Sequence, residues 1–251
     1  MPWRNIRDPY KIYISEIMLQ QTQVDRVRPK YLEFVKRFPT FASVSRTPLR
    51  DILAAWQGLG YNRRAAMLKK SCETVVREFK GNLPQNGNDL LKLPGVGTGT
   101  AGSLMAFAHS KPSVFIETNI RRAFIHAFFP KARQIHDNDI LKLVAKALDR
   151  RNPRAWYYAL MDYGSALGKD KKRQNPNRKS AHYVKQEKFE GSRRQLRGKI
   201  IRTLLAAPNG IESARLERSL GTPTVRVREA LASLAKENIV QFKEGKIMIA
   251  S

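Results

Sequence analysis

A chain of 251 residues, 42% of them hydrophobic, can bury one large core or two moderate ones, which excludes wholesale disorder. Its 47 Lys and Arg against 21 Asp and Glu give a formal net charge of +26, which favours a polyanion such as nucleic acid over a small neutral ligand. No apolar run approaches the roughly 18 residues of a membrane span and no signal peptide precedes Trp3, so a cytoplasmic protein is expected, at the nucleoid in a prokaryote, with no membrane partner. The single cysteine, Cys72, excludes an internal disulfide and a cysteine-built metal site, and no metal or other cofactor is expected.

Asp8-Pro9 starts a helix in which Tyr10, Tyr13, Ile14, Ile17 and Met18 recur at helical spacing. Val24, Val27, Tyr31, Phe34 and Phe38 carry a second. Thr47-Pro48 opens a third, with Leu49, Ile52, Leu53 and Trp56 on its apolar face; it stops at Gly58-Leu59-Gly60, and Ala65, Leu68, Cys72, Val75 and Phe79 mark a fourth. Residues 1–168 therefore read as a succession of helices, and no stretch before residue 238 reads as sheet. Between 169 and 202, 13 Lys or Arg stand against Asp170, Glu187 and Glu190, which predicts a basic linker or DNA-facing loop over 169–194. Tyr183 and Phe189 interleave with these cations, as in segments that contact nucleic-acid strands. Helices over 195–206, 212–220 and 224–237, then a hairpin of 239–242 and 246–249 turning at Glu244-Gly245, predict a small winged helix-turn-helix domain over 195–251.

Chemistry concentrates at Leu93-Pro94-Gly95-Val96-Gly97 and, one helix later, at Ile116-Glu117-Thr118-Asn119. The glycine turn opens into an Ala-rich helix over 100–108, whose first N–H groups are free to hold an anion. In so basic a chain that anion is a nucleic-acid phosphate. Glu117 lies near enough in sequence to act on what the phosphate presents, or else pairs with Arg121 or Arg122 at a helix start.

The order Pro2-Trp3-Arg4, Asp8-Pro9-Tyr10, Ser15-Glu16-Ile17-Met18-Leu19-Gln20-Gln21-Thr22-Gln23-Val24, Gly58-Leu59-Gly60-Tyr61, the glycine hairpin and Met161-Asp162-Tyr163-Gly164 resembles the helix-hairpin-helix DNA glycosylases, and within them the MutY-type adenine glycosylases. The block around Glu16 is the specific part; the hairpin marks only the wider superfamily. The resemblance covers residues 2–168 and implies a mainly α, two-lobed glycosylase domain over 1–168. It implies a base-excision enzyme acting on duplex DNA that holds a mismatched or damaged base, and a monomer is expected. Glu16 would protonate the adenine, Gln21, flanked by Gln20 and Thr22, would fill the gap left by the flipped base, Tyr61 and Arg63 would support the splayed strand, and Asn119 would join the active site. Gly95, Val96, Gly97, Thr98 and Gly99 would hold the backbone, and Lys171, Lys172, Arg173, Arg178 and Lys179 would contact phosphates. The chemistry agrees: an N-glycosidic bond breaks when one carboxyl protonates the base and another, ionised, faces the oxocarbenium sugar, and Glu16 and Glu117 are the two candidates. The target base must first leave the stack.

The sequence departs from that family at several points. Glu117 stands where the family has Asp, one methylene shorter, and a displacement of about 1 Å can cost on the order of 100-fold in rate. The four-cysteine iron–sulfur loop that would begin near Gly168 is absent, and a winged helix stands where a Nudix-like domain is usual. Gly99 occupies the place of the Schiff-base lysine of lyase members, which implies a monofunctional hydrolase. The helix that usually precedes Pro2-Trp3 is missing, leaving open whether the natural N-terminus lies upstream. Thymine or uracil opposite guanine is the alternative target, and an inactive DNA-binding regulator the alternative of another class.

Overall fold

The structure, a computed structural model, describes residues 1–170, 172, 174–186 and 188–250. Asp8 starts α1 (Pro9–Leu19) by accepting the amides of Tyr10 and Lys11 on one carboxylate oxygen, at 2.9 and 3.2 Å, with Pro9 at the first helical position. Ile12, Tyr13, Ile14, Ile17 and Met18 are all buried, so α1 is covered on nearly every side and serves as a central helix. Around it lie α2 (Val24–Arg37), α3 (Phe41–Arg46), α4 (Leu49–Ala55) and α5 (Arg63–Glu78). The short α3 was not separated from its neighbours in the sequence; a capping box between Thr40 and Ser43 holds it. Trp56 falls just past α4 rather than inside it, buried, with its indole N–H donated to the carbonyl of Gly60 at 3.2 Å. Cys72 is fully buried on α5.

The chain continues through α6 (Gly87–Leu91) and the glycine hairpin into α7 (Thr98–Ala108), which packs on α1. A second group follows: α8 (Thr118–Phe128), α9 (Asp137–Ala147) and α10 (Pro153–Lys169), joined to the first by contact between α7 and α10. The N-terminal residues tie into this group, since Arg4 pairs with Asp162 at 2.6 Å and Arg154 donates to the carbonyls of Arg4 and Ile6. Asp162 is thus a structural partner of Arg4.

Residues 193–249 form α11 (Arg193–Ala206), β1 (Ile211–Glu212), α12 (Ser213–Leu220), α13 (Thr224–Lys236), β2 (Val240–Lys243) and β3 (Lys246–Ile249). The strands make an antiparallel sheet in the order β1-β3-β2, with Ile211 opposite Ile247 and Val240 opposite Ile249. This corrects the expectation of no sheet before residue 238. Two residues are too few to show a period of two, so β1 exists only through its pairing with β3, and Glu212, expected in a helix, belongs to it. Ile200, Ile201, Leu204, Val227 and Leu234 fill the core of this unit. Arg50 at the start of α4 reaches across to it, donating to the carbonyls of Leu204, at 3.3 Å, and Leu205, and so closes the C-terminal end of α11.

The stretch between α10 and α11 also differs from a plain basic loop. Pro176–Lys179 makes one 3₁₀ turn, and Asn177 is buried with its amide donated to the carbonyl of Thr118 at 3.0 Å. Ile135 and the 179–181 backbone exchange bonds of 2.9 and 3.0 Å. Asparagine side chains and backbone here take the place of water against α8 and residue 135, which the charge of the segment concealed.

Candidate active site

Glu16 of α1, Gly99 and Ser103 of α7, and Glu117 at the head of α8 line one cavity of about 200 Å³, walled by Phe107, Phe115 and Met161. Gly99 and Ser103 share it because residues four apart lie on one helix face. Burial among these walls pushes the Glu16 carboxyl up to about 7; a hydrogen bond with Ser103 opposes the rise and the neighbouring Glu117 adds to it.

Glu117 is held differently. It is the N-cap of α8: one carboxylate oxygen accepts the amides of Asn119 and Ile120, at 2.7 and 2.8 Å, and the other accepts the Asn119 side-chain N–H at 3.2 Å. Burial raises its pKa, while those amides, then Arg122 and Arg121, pull it back. Three donors at a helix N-terminus favour the ionised form of Glu117, so of two carboxyls that share a cavity Glu16 is the one that keeps a proton near neutrality.

The network continues behind Asn119. Arg122 donates to the Asn119 side-chain oxygen at 2.9 Å, the Gly164 carbonyl at 2.6 Å and the Asn175 side-chain oxygen at 3.1 Å. Arg121, the other suspected partner of Glu117, instead forms a bidentate pair with Asp137 at 2.7 and 2.6 Å. Gly164 allows α10 this close, since a Cβ there would lie 2.1 Å from the Asn119 carbonyl oxygen.

Asn119 is tied to Glu117 by two hydrogen bonds but does not line the cavity that Glu16 and Glu117 share, and neither does Tyr61. Tyr61 lines a separate cavity with Gln21, Arg63 and Gly95, its hydroxyl bonded to Gln186 and Arg194 at 2.5 and 2.9 Å. Gln20 stands between the two cavities, donating its side-chain amide to the Gly95 carbonyl and the Thr100 hydroxyl at 3.2 and 3.1 Å. Thr22, expected to meet DNA, is instead occupied by the fold: its hydroxyl donates to Leu59 at 3.3 Å and accepts from Arg64 at 2.8 Å.

In the hairpin, Gly95 has φ +83° and a Cβ would sit 2.9 Å from that of Met67, so glycine is required. Val96 is buried, while Gly97 and Thr98 are exposed at the N-terminus of α7, which no side chain caps. Lys179 departs from expectation: its ammonium donates to the carbonyls of Phe129 and Pro130, at 3.3 and 2.6 Å, just past the end of α8. Lys172 and Arg178 are exposed, Arg178 beside Lys131 and Arg133 in a shallow basic hollow. Lys171 and Arg173 lie outside the described residues. Sequence reasoning missed Ser103, Asn175, Gln186 and Arg194, and of these only Ser103 had a local signal, its spacing from Gly99; Arg122, named in the sequence as a candidate partner of Glu117, acts on it electrostatically and through Asn119.

The iron–sulfur cluster that the resemblance implies does not fit the residues present. The chain has one cysteine, buried in α5, and among the described residues no group of three His, Cys, Asp or Glu side chains is placed to hold a metal.

The model of the HhH-GPD superfamily of base excision DNA repair proteins matches residues 14–148. The adenine DNA glycosylase of Buchnera aphidicola subsp. Baizongia pistaciae is 37% identical over 171 residues, covering 66% of this chain and 48% of that relative, so the chain spans about half the length of the Buchnera protein. The adenine DNA glycosylase of Mycolicibacterium smegmatis is 30% identical over 268 residues, covering 100% of this chain and 91% of the relative. Among solved structures, a thermostable thymine-DNA glycosylase superposes with a TM-score of 0.60 and 27% identity, over 68% of this chain and 81% of that one.

Proposed function

The chain belongs to the HhH-GPD superfamily of base excision DNA repair proteins, and from that premise we propose that it is a monofunctional DNA glycosylase that hydrolyses the N-glycosidic bond of adenine mispaired with guanine or 8-oxoguanine. The observation that carries the reading is the single cavity shared by a carboxyl raised to about 7, on Glu16, and a carboxylate held by three N–H donors, on Glu117. A volume of about 200 Å³ is below the ~300–1,000 Å³ of sites for drug-sized ligands and suits one flipped base. Protonated Glu16 delivers its proton to the departing base, and the Glu117 carboxylate stabilises the oxocarbenium sugar until water adds.

The alternative of base release by a lysine amine finds no support in the cavity. Gly99 is in its wall, and the nearby lysines are engaged elsewhere: Lys92 with Asp89 at 2.6 Å and Lys111 with the Gln85 carbonyl at 2.9 Å. The partner is duplex DNA, bound by a monomer through the hairpin amides and a surface of net charge +26. The order α11–β1–α12–α13–β2–β3 supports reading residues 195–251 as a winged helix-turn-helix that adds a second duplex contact. Likeness to a thymine-DNA glycosylase favours thymine or uracil opposite guanine as the second reading of the target.

The test is excision on duplexes carrying A opposite 8-oxoguanine, A opposite G, T opposite G and U opposite G, followed by alkali. Adenine release with strand breakage only after alkali, and no borohydride-trapped adduct, is the expected result. Release of thymine or uracil alone replaces the target. No release from any duplex overturns the enzymatic reading in favour of a DNA-binding regulator.

A further inference from the structure

The cavity beside Tyr61, about 780 Å³, is used by neither carboxyl. Gln20 forms part of its wall and part of the wall around Glu16 and Glu117, so the two cavities are neighbours. Three turns converge there with left-handed backbone, Gln21 at φ 54°, Tyr61 at φ 47° and Gly95 at φ 83°. Two of these are side-chain-bearing residues in a conformation that costs energy, and packing must hold them in it. The floor is apolar, from Ile17, Met67, Leu68 and Pro94.

The opposite wall comes from α11, 133 residues further along the chain than Tyr61. Arg197 is committed there to bracing α11 against the end of α13, through Ser233 at 2.7 Å and Glu237 at 2.5 Å. Arg194 instead lies over the aromatic ring, its guanidinium carbon 5.6 Å from the Tyr61 centroid and one nitrogen on the phenol oxygen. Arg64 stands at the same 5.6 Å from that ring and fixes it by binding the carbonyls of Met18, Gln20 and Gly60. An apolar floor facing an arginine fork matches the edge of a base with two adjacent acceptors, which is the O6 and N7 edge of guanine and not any edge of cytosine or thymine in the major groove.

Resting on the glycosylase reading, we infer that this cavity receives the nucleotide left opposite the excised base, and that Arg194, supplied by the C-terminal unit, selects guanine there. On binding, the Arg194 fork exchanges its present partners for the base edge while Tyr61 supports the neighbouring step. Discrimination at the opposite strand is thereby built from both ends of the chain, by Gln20, Gln21 and Tyr61 on one side and Arg194 on the other.

Arg194→Lys tests this, because it keeps the charge and loses the planar fork. Affinity is measured at fixed salt for duplexes holding a tetrahydrofuran abasic analogue opposite G or opposite C, and for a fully paired duplex. The wild-type protein is expected to prefer G over C, and Arg194→Lys to shrink that preference about fivefold or more, the low end for one bidentate base contact. Affinity for the paired duplex should change less than about twofold. An unchanged preference in Arg194→Lys, or none in the wild type, overturns the inference. Since no base is excised in this assay, its outcome stands apart from the excision panel, whose failure would remove the enzymatic reading while binding still decided the role of Arg194.

Discussion

Replacing Glu16 by Gln removes one titrating proton from the interior and alters the shape of the cavity little. The ordinary value of this carboxyl is 4.5, and in the fold it stands at about 7. Below about 4.5 both the folded and the unfolded chain hold the proton. Between 4.5 and 7 the folded chain keeps a proton that the unfolded chain has released, so raising the pH draws the equilibrium toward unfolding, and above 7 the loss is complete. At 1.36 kcal/mol for each pH unit of that interval, the loss comes to about 3 kcal/mol. Glu16→Gln has no such loss. Its stability should equal that of the wild type near pH 4.5 and exceed it by about 3 kcal/mol at pH 8.5, a gap of roughly 6–12 °C in Tm for a chain of this size. Thermal melts of both proteins followed by circular dichroism across that range measure it. Parallel melting curves at every pH would refute the burial argument, and with it the claim that Glu16 is protonated near neutrality. Excision should be abolished in the variant at every pH, and in the wild type should decline as the pH rises past about 7.

Glu117→Gln should lower single-turnover excision about 100-fold or more while duplex affinity is kept, because the donors that hold the side chain remain but the charge facing the sugar is gone; near-wild-type rates would make Glu117 a capping residue only. Glu117→Asp keeps the cap and withdraws the carboxylate by about 1 Å, so a measurable rate loss in the same assay marks the longer side chain as an adaptation of this site. Gly164→Ala places a methyl 2.1 Å from the Asn119 carbonyl oxygen and should cost ~1–3 kcal/mol in urea unfolding, together with slower excision, as α10 is pushed off α8. Lys172→Ala with Arg178→Ala should flatten the salt dependence of DNA affinity by up to ~0.9 for each phosphate no longer neutralised, whereas Lys179→Ala should lower Tm and leave the slope unchanged.

What the sequence disclosed and what it hid follow from the range of the interactions involved. The helices α1, α2 and α7 are written in side chains three and four residues apart, and Glu117 stood out at a helix start beside the glycine hairpin, whereas Glu16 stood out only through the block that carries the family resemblance. Tyr61 was legible as a functional residue but not as a member of a different cavity, because its neighbours Gln186 and Arg194 lie 125 and 133 residues away. The Asn175–Asn177 turn read as solvated because asparagine beside lysine is the composition of a loop, yet its amides serve Arg122 and Thr118. Lys179 was misread for a related reason: a cation near a helix end and a cation facing DNA have the same sequence signature, and only the positions of the Phe129 and Pro130 carbonyls separate them. β1 has no signature of its own.

Cys72, the sole thiol of the chain, is covered on α5, and burial holds it well above the ordinary thiol range. Burial outweighs the opposing pull of Lys69, so the thiolate does not form and thiol-alkylating reagents must wait until α5 leaves the core. The molecule thus carries an intrinsic clock: every modification event records one excursion of its central packing. With one thiol to react, alkylation gives a single adduct, countable by mass without any engineered label. The pace of that clock with and without duplex present would report how tightly occupancy of the cleft restrains the helices behind it.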